Sequence, residues 1–168
     1  MEALHAPWRI QYILGPKTPP GGGSIFARIA QSNEDEANYV IARGRTCFAM
    51  LNNYPYNGGH LMVVLKRHVG TLAATTPEEQ TELMQLTRRA EIALTEAYTP
   101  QGINIGVNIG RPAGAGVLDH LHVHLVPRWN GDTNFMTVIG ETRVLPEDLA
   151  QSAARLRPIF ERLGRADA

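Results

Sequence analysis

The sequence contains almost no cysteine, no excess of either charge and no long apolar run. Cys47 is its single cysteine, which excludes a disulfide within the chain and is typical of a reducing compartment. Because Cys47 stands in an apolar stretch, we expect it to be a core residue and not a nucleophile. No apolar run approaches the roughly 20 residues of a membrane span, and the first residues lack the basic and apolar regions of a secretory signal. We therefore predict a cytoplasmic protein that does not interact with membranes.

The charged residues are balanced. Lysine and arginine together number 16, as do aspartate and glutamate, so the formal net charge is zero. Such a chain lacks the broad basic surface that nucleic-acid binding requires, and any anionic ligand must be held by a local site.

The 168 residues, 43% of them hydrophobic, are enough for one domain with a well-packed core. Glycine and proline crowd residues 15–23, so we predict an N-terminal arm and linker over residues 1–23 and a single domain over residues 24–168.

The most informative feature is the segment 120–126, His-Leu-His-Val-His-Leu-Val. Side chains alternate between the two faces of a β-strand, so this segment predicts a strand with His120, His122 and His124 on one face and apolar residues on the other. We call these three residues the histidine row. Imidazole is the side chain whose pKa lies nearest neutrality, and it can act as nucleophile, general acid, phosphate ligand or metal ligand.

A metal site is the main alternative interpretation of the histidine row, because His-x-His pairs on strands do bind zinc. A strand rises about 3.3 Å per residue, so the Cα atoms of His120 and His124 should lie about 13 Å apart. Bonds from zinc to histidine nitrogen are only about 2.0–2.1 Å long. One ion could therefore bind two of the three rings. An extended polyanion such as a phosphate chain matches all three, and we favour that interpretation.

A glycine-rich segment, Gly-Arg-Pro-Ala-Gly-Ala-Gly at residues 110–116, precedes the histidine strand. It leads into a strand and lacks Gly-Lys-Ser/Thr, which argues against a P-loop or a dinucleotide-binding glycine motif. Glycines let backbone N–H groups approach a ligand closely, and such a cluster of N–H groups favours anions. We therefore expect Gly114 and Gly116 to contact an anionic substrate.

The apolar patterns predict several strands joined by short loops and one long helix. The long helix should begin at Thr76-Pro77 and run to about Tyr98, because a hydroxyl, a proline and carboxylates mark its start. A C-terminal helix should start at Pro146 and be interrupted or kinked by Pro158. This arrangement favours an antiparallel α+β domain over a doubly wound parallel sheet. The remaining predicted segments are a short helix over 24–30 and strands over 39–42, 47–51, 60–65, 103–109 and 135–139.

The segment 120–126 resembles the signature of the histidine triad (HIT) family of nucleotide hydrolases and transferases. The strand and loop from Phe48 to His60 are similar to the family's nucleoside-binding region. Trp8-Arg9-x-x-Tyr12 and the segment 127–135 resemble the bacterial branch related to diadenosine tetraphosphate phosphorylase and the Fhit-type hydrolases. The resemblance spans about residues 8–150. It implies an α+β, HIT-like fold: a five-stranded antiparallel sheet with one long helix packed on it, a C-terminal helix, and dimerisation into a ten-stranded sheet.

The resemblance also implies the residues of an active site. His122 would attack the α-phosphorus of a nucleotide and form a nucleotidyl-histidine intermediate. His124 would contact the phosphate, and His120 would order the network on the leaving-group side. The implied binding residues are Asn52 at the ribose, His60 as a support for the histidine row, and Asn108 beside the phosphates.

Two positions depart from the family pattern. Ser24-Ile25-Phe26-Ala27 stands where many members carry Cys-x-x-Cys as part of a zinc site. We therefore predict no metal site and no required cofactor, with magnesium only as a counter-ion of the substrate. Gly116-Val117 stands where the hydrolase and phosphoramidase branches carry a glutamine, serine or threonine that assists the leaving group. Either backbone N–H groups replace that donor or the second chemical step differs.

The sequence therefore predicts an enzyme that cleaves dinucleoside polyphosphates, such as diadenosine tetraphosphate, through a nucleotidyl-histidine intermediate. Phosphate as the acceptor would make it a phosphorylase, which the flanking matches favour, and water would make it a hydrolase. A nucleoside phosphoramidase, a nucleotide-binding protein without catalysis and a metal-binding protein stay open as alternatives. The expected partners are a small nucleotide and a second copy of the chain in a homodimer, but neither nucleic acid nor a membrane.

Overall fold

The computed structural model describes residues 23–132 and 147–166. Most of the predicted arm, the predicted strand over 135–139 and the predicted helix start at Pro146 lie outside these residues. The division into an arm and a single domain therefore stays a prediction. None of the described helices has the length and apolar character that a membrane crossing requires.

Five strands form one antiparallel sheet in the order β1-β2-β3-β5-β4. The predicted antiparallel α+β architecture is confirmed, and each described strand begins and ends within two residues of its prediction. The strands are β1 (Val40–Arg43), β2 (Cys47–Leu51), β3 (Leu61–Leu65), β4 (Gly102–Val107) and β5 (His122–Arg128). The strand that carries the histidine row begins at His122, because the N–H of Leu121 bonds to the carbonyl of Val69 and not to a neighbouring strand.

Within residues 23–132 and 147–166, three α-helices pack on the sheet: α1 (Ile25–Gln31), α2 (Pro77–Tyr98) and α3 (Leu149–Ala166). The predicted start of α2 is confirmed. Thr76 accepts a hydrogen bond from the N–H of Glu79, and the Glu79 carboxylate accepts one from the N–H of Thr76, which is a capping box.

The sequence predicts that Pro158 interrupts or kinks α3; the interruption is wrong, because the helix continues through that residue, and the kink stays a prediction. Leu156 and Phe160, two residues to either side, are 0% and 2% exposed. Packing of this apolar face stabilises the helix enough to offset the hydrogen bond that proline removes. The helix begins at Leu149, where the carboxylate of Asp148 accepts a hydrogen bond from the N–H of Gln151.

The two faces of the sheet have separate apolar cores. Leu121, Val123 and Leu125 belong to the larger core, which α2 and α3 cover. The opposite face packs against α1, and its core includes Met62 and Val64. These two residues pair with His124 and His122, so the histidine row lies on the α1 face. Cys47 is fully buried in the larger core, as predicted, and burial raises the pKa of its thiol to about 11.

Candidate active site

The histidine row lies between β5 and α1. The Phe26 ring of α1 is 5.5 Å from the ring of His120 and 5.0 Å from that of His122, and His122 is 4.7 Å from His124, measured between centroids. The alternation that placed the three rings on one side is therefore confirmed. The rings do not form an open surface, however, because α1 covers them and leaves His120 only 1% and His122 only 5% exposed.

A pocket of about 90 Å³, partly open to solvent, opens beside two of the three rings. Its wall is largely apolar, with a few polar groups at one side. The polar groups are His122, His124 and the side chains of Asn52 and Asn53, and the glycines are Gly114 and Gly116.

The proton on His122 has a defined position. Its Nδ1 lies 2.8 Å from the backbone carbonyl of His120, and because a carbonyl only accepts, Nδ1–H must be the donor. The neutral ring therefore keeps a lone pair on Nε2. Burial lowers the pKa of His122 below the usual value for histidine, so the ring stays neutral near pH 7. A neutral imidazole with an unprotonated Nε2 beside a pocket has the form of a nucleophile.

The proton on His124 is fixed through two hydrogen bonds. The backbone N–H of Tyr56 donates to Nδ1 of His60 at 3.0 Å, so the proton of the neutral His60 ring is on Nε2. That Nε2 lies 3.0 Å from Nδ1 of His124 and donates to it. The proton of the neutral His124 ring is then on Nε2. His124 is therefore arranged as a hydrogen-bond donor and His122 as an electron-pair donor.

His120 has a different environment from the other two rings. Its Nε2 donates to the carbonyl of Leu65 at 2.6 Å. The edge of Phe26 packs against it, and the ring of His68 stacks on it at 5.3 Å between centroids and 20° between planes. Burial lowers the pKa of His120, and its Nδ1 has no hydrogen-bond partner among the described residues, which suits an unprotonated nitrogen. His120 does not line the pocket, so in this structure it positions His122 through its carbonyl.

The other predicted binding residues fall into two groups. Asn52, Gly114 and Gly116 line the pocket, and the side-chain oxygen of Asn52 accepts a hydrogen bond from the N–H of Tyr54 at 2.9 Å. His60 and Asn108 do not line it. His60 lies behind His124, to which it is hydrogen-bonded. Asn108 lies next to Gly114: its amide nitrogen would be 3.7 Å from a Cβ atom added to that glycine. The structure thus brings all the predicted residues to one region, while their roles stay predictions.

Sequence reasoning missed the apolar wall of the pocket and the stacking partner of His120. The wall consists of Ile25, Phe26, Ile29, Met50, Tyr54, Met62 and Val117. A signal for two of them was present, because strand alternation and the antiparallel register put Met50 and Met62 on the same face as His124. The stacking partner, His68, is not among the residues that the sequence predicts for the site. Its contact joins positions 52 residues apart in the sequence and leaves no local pattern.

Two curated relatives have names that refer to dinucleoside polyphosphates. The chain is 41% identical over 153 residues to a protein of Mycobacterium tuberculosis named AP-4-A phosphorylase, and the match covers 88% of this chain and 78% of that protein. It is 31% identical over 120 residues to the bis(5'-adenosyl)-triphosphatase of Dictyostelium discoideum, and the match covers 68% of this chain and 80% of that protein.

A solved structure of the same fold is the Zn-bound histidine triad family protein from Mycobacterium smegmatis. It is 26% identical, with a TM-score of 0.68, and the match covers 84% of this chain and 96% of that one. The described residues of the present chain contain no group of three or more histidine, cysteine, aspartate or glutamate side chains that could hold a metal ion. Ser24 instead uses its hydroxyl to cap α1, accepting a hydrogen bond from the N–H of Phe26.

The family model described as the HIT domain matches residues 33–131, which include β1 to β5, the long helix α2 and the histidine row. The expected HIT-like fold is thus confirmed by the sequence match and by the structure. The chain belongs to the HIT family.

Proposed function

We propose that this protein cleaves dinucleoside polyphosphates through a covalent intermediate on His122. The observation that carries the proposal is the hydrogen bond from Nδ1 of His122 to the carbonyl of His120, which leaves Nε2 unprotonated in a ring that lines the pocket. The names of the two curated relatives, a phosphorylase of diadenosine tetraphosphate and a triphosphatase, support this substrate class.

The reaction divides into two displacements at the same phosphorus atom. In the first, Nε2 of His122 forms a bond to the α-phosphorus, the bond from phosphorus to the bridging oxygen breaks, and the leaving nucleotide takes the electron pair. In the second, an oxygen of the acceptor bonds to the α-phosphorus and the electron pair returns to Nε2. A covalent intermediate replaces one difficult displacement with two easier ones.

The remaining pocket groups supply charge stabilisation and orientation. His124 presents Nε2–H, and the backbone at Gly116 can present its N–H group to a phosphate oxygen, while the glycine at 114 lets the chain turn close to the phosphates. Gly114 has a φ of +89°, a conformation that a residue with a Cβ rarely adopts. The apolar wall would accept the base, and Asn52, which lines the pocket, would bind the ribose. No cofactor is part of the proposal, and magnesium accompanies the substrate only as a counter-ion.

The acceptor in the second step is proposed to be phosphate. The 41% identity to the AP-4-A phosphorylase supports this choice over water. Incubation with diadenosine tetraphosphate and phosphate should yield ADP and ATP, and His122→Ala should abolish the reaction. AMP and ATP as products would make the protein a hydrolase. Full turnover by His122→Ala would contradict the mechanism, and cleavage of an adenosine phosphoramidate alone would identify a phosphoramidase.

The proposed working form is a cytoplasmic homodimer. β4 ends the sheet, so its outer edge has backbone groups without a strand partner among the described residues. The same strand exposes Ile105, which is 46% accessible, and an exposed apolar edge strand favours pairing with another chain. Two such edges in antiparallel contact would join two five-stranded sheets into a sheet of ten strands.

A further inference from the structure

A short turn fixes Arg111 beside the pocket. Residues Arg111–Ala113 form one turn of 3-10 helix between Gly110, with φ +83°, and Gly114, with φ +89°. Both values favour glycine, and the N–H of Gly114 donates to the carbonyl of Arg111 at 2.9 Å. Because Gly114 and Gly116 are part of the pocket wall, the backbone of Arg111 lies at the edge of the pocket.

The guanidinium of Arg111 is exposed and makes no hydrogen bond or ion pair with residues 23–132 or 147–166. Arg128 offers a contrast, because it belongs to the same strand as His122 and His124. Its Nε is 2.6 Å and its Nη2 is 2.9 Å from the two carboxylate oxygens of Asp132. The charge of Arg128 is therefore already balanced, whereas that of Arg111 is available to a ligand.

The proposed substrate carries more negative charge than the pocket can balance. Among the described residues that line the pocket, none is lysine or arginine; burial disfavours a charge on His122, and the hydrogen bond from His60 leaves Nδ1 of His124 unprotonated. A dinucleoside polyphosphate has further phosphates beyond the one that is attacked. Arginine suits such groups because its planar guanidinium can donate two parallel hydrogen bonds to a phosphate.

We propose that Arg111 binds the phosphates beyond the α-phosphate, an inference that rests on the proposed function. In the first step it would hold the leaving nucleotide. In the second it would hold the incoming phosphate, because an in-line displacement of His122 requires the acceptor to approach from the side on which the leaving group departed. Arg111 is thus a specificity-determining residue for polyphosphate substrates and for the choice of phosphate as acceptor.

The test compares the binding of AMP, which has only the α-phosphate, with that of ATP by titration calorimetry. Arg111→Ala should weaken ATP binding by about 10- to 100-fold, as expected for lost charge-assisted hydrogen bonds, and leave AMP binding unchanged. Arg111→Lys should show an intermediate loss, since the charge remains while the paired donors are lost. Arg165→Ala is the matched control, because Arg165 is an exposed arginine in the last turn of α3, which packs on the opposite face of the sheet.

A kinetic measurement extends the test to the second step. In phosphorolysis of diadenosine tetraphosphate, Arg111→Ala should raise the KM for phosphate, while Arg165→Ala should not. Unchanged ATP binding, or an equal loss of AMP and ATP binding, would overturn the inference about Arg111 and leave the proposed function standing. If the wild-type protein bound neither nucleotide and cleaved no dinucleoside polyphosphate, both the proposed function and the inference would fail.

Discussion

At the scale of single residues, the position of each imidazole proton distinguishes the members of the histidine row. A backbone carbonyl holds the proton of His122 on Nδ1, while His60 holds that of His124 on Nε2. The two adjacent rings therefore present a lone pair and an N–H group to the same pocket. Identical side chains acquire different chemical roles because their hydrogen-bond partners differ.

His60 should be a positioning residue that acts through His124. His60→Phe keeps a ring against Tyr56, whose own ring stacks on His60 at 5.0 Å, but removes the N–H that His60 donates to His124. We expect kcat to fall by about 10-fold, because Nδ1 of His124 loses the hydrogen bond that orients the ring. Circular dichroism should show an unchanged fold. His60→Gln, which retains an N–H donor, should recover part of the rate, and equal rates for the two variants would contradict this role.

The buried rings should also make stability depend on pH. Burial lowers the pKa of His122 and of His120, so the unfolded chain binds more protons than the folded protein from about pH 6.5 down to the lowered pKa values. The two rings make their full contribution to the free energy of unfolding above that pH window. The free energy of unfolding then falls as the pH decreases through the window, by at most about 1.4 kcal/mol per pH unit for each ring.

Urea unfolding at a series of pH values measures this dependence. His122→Asn removes one of the two rings, so its stability should decrease less steeply in acid than that of the wild-type protein. Identical slopes would show that His122 does not have a lowered pKa. Activity should change in the same direction. Because protonation of His122 removes the nucleophile, kcat/KM should fall only below about pH 6.5, the ordinary pKa of histidine.

At the scale of elements, α1 both covers the histidine row and forms part of the pocket wall. Two of its residues line the pocket but differ in burial. Phe26 is 5% exposed and packs on two rings of the row, whereas Ile25 is 42% exposed and is not part of either core. The helix should therefore contribute to stability through one side chain and to nucleotide binding through the other.

Phe26→Ala should lower the free energy of unfolding by about 3 kcal/mol, as for other large-to-small core changes, and should reduce kcat because His122 loses its packing. Ile25→Ala should leave stability nearly unchanged and raise the KM for diadenosine tetraphosphate. Chemical unfolding and steady-state kinetics on both variants check the pair. Equal effects on stability would mean that Ile25 belongs to the core and not to the pocket wall.

Most elements could be predicted from the sequence because their signals are local. The alternation around His122 and the capping residues of α2 act over a few neighbouring positions, and both predictions are confirmed. The continuation of α3 through Pro158 could not be predicted, because it depends on tertiary packing of Leu156 and Phe160. The same limit applies to the site. The pattern located the histidine row, but not that α1 would cover His120 and open a pocket beside the other two rings.

At the scale of the whole molecule, a chain of zero net charge is proposed to act on highly charged substrates. At least six arginines of the described ranges form ion pairs with carboxylates, as in the contacts of Arg43 with Asp35 and of Arg67 with Glu79. Recognition then depends on directed N–H groups and a local cation, not on a general basic surface. Binding should therefore be selective for nucleotides over long nucleic acids.

The proposed dimer can be tested at the exposed edge of the sheet. Sedimentation should give twice the monomer mass of 18.5 kDa. Ile105→Lys should shift the protein towards the monomer, since a charge on an edge strand opposes pairing. Leu72→Lys is a suitable control, because Leu72 is similarly exposed, at 45%, but lies in the short 3-10 helix before α2. A wild-type monomer, or a dimer that Ile105→Lys leaves intact, would contradict an interface through β4.

The most direct test of the central claim is rapid acid-free quenching during the reaction with diadenosine tetraphosphate, followed by mass spectrometry of the peptide that contains β5. We predict an adenylyl group on His122, formed at least as fast as the products appear, and absent in His122→Asn. Turnover without this adduct, or an adduct on His120 or His124 that forms at the catalytic rate, would contradict the assignment of His122 as the nucleophile.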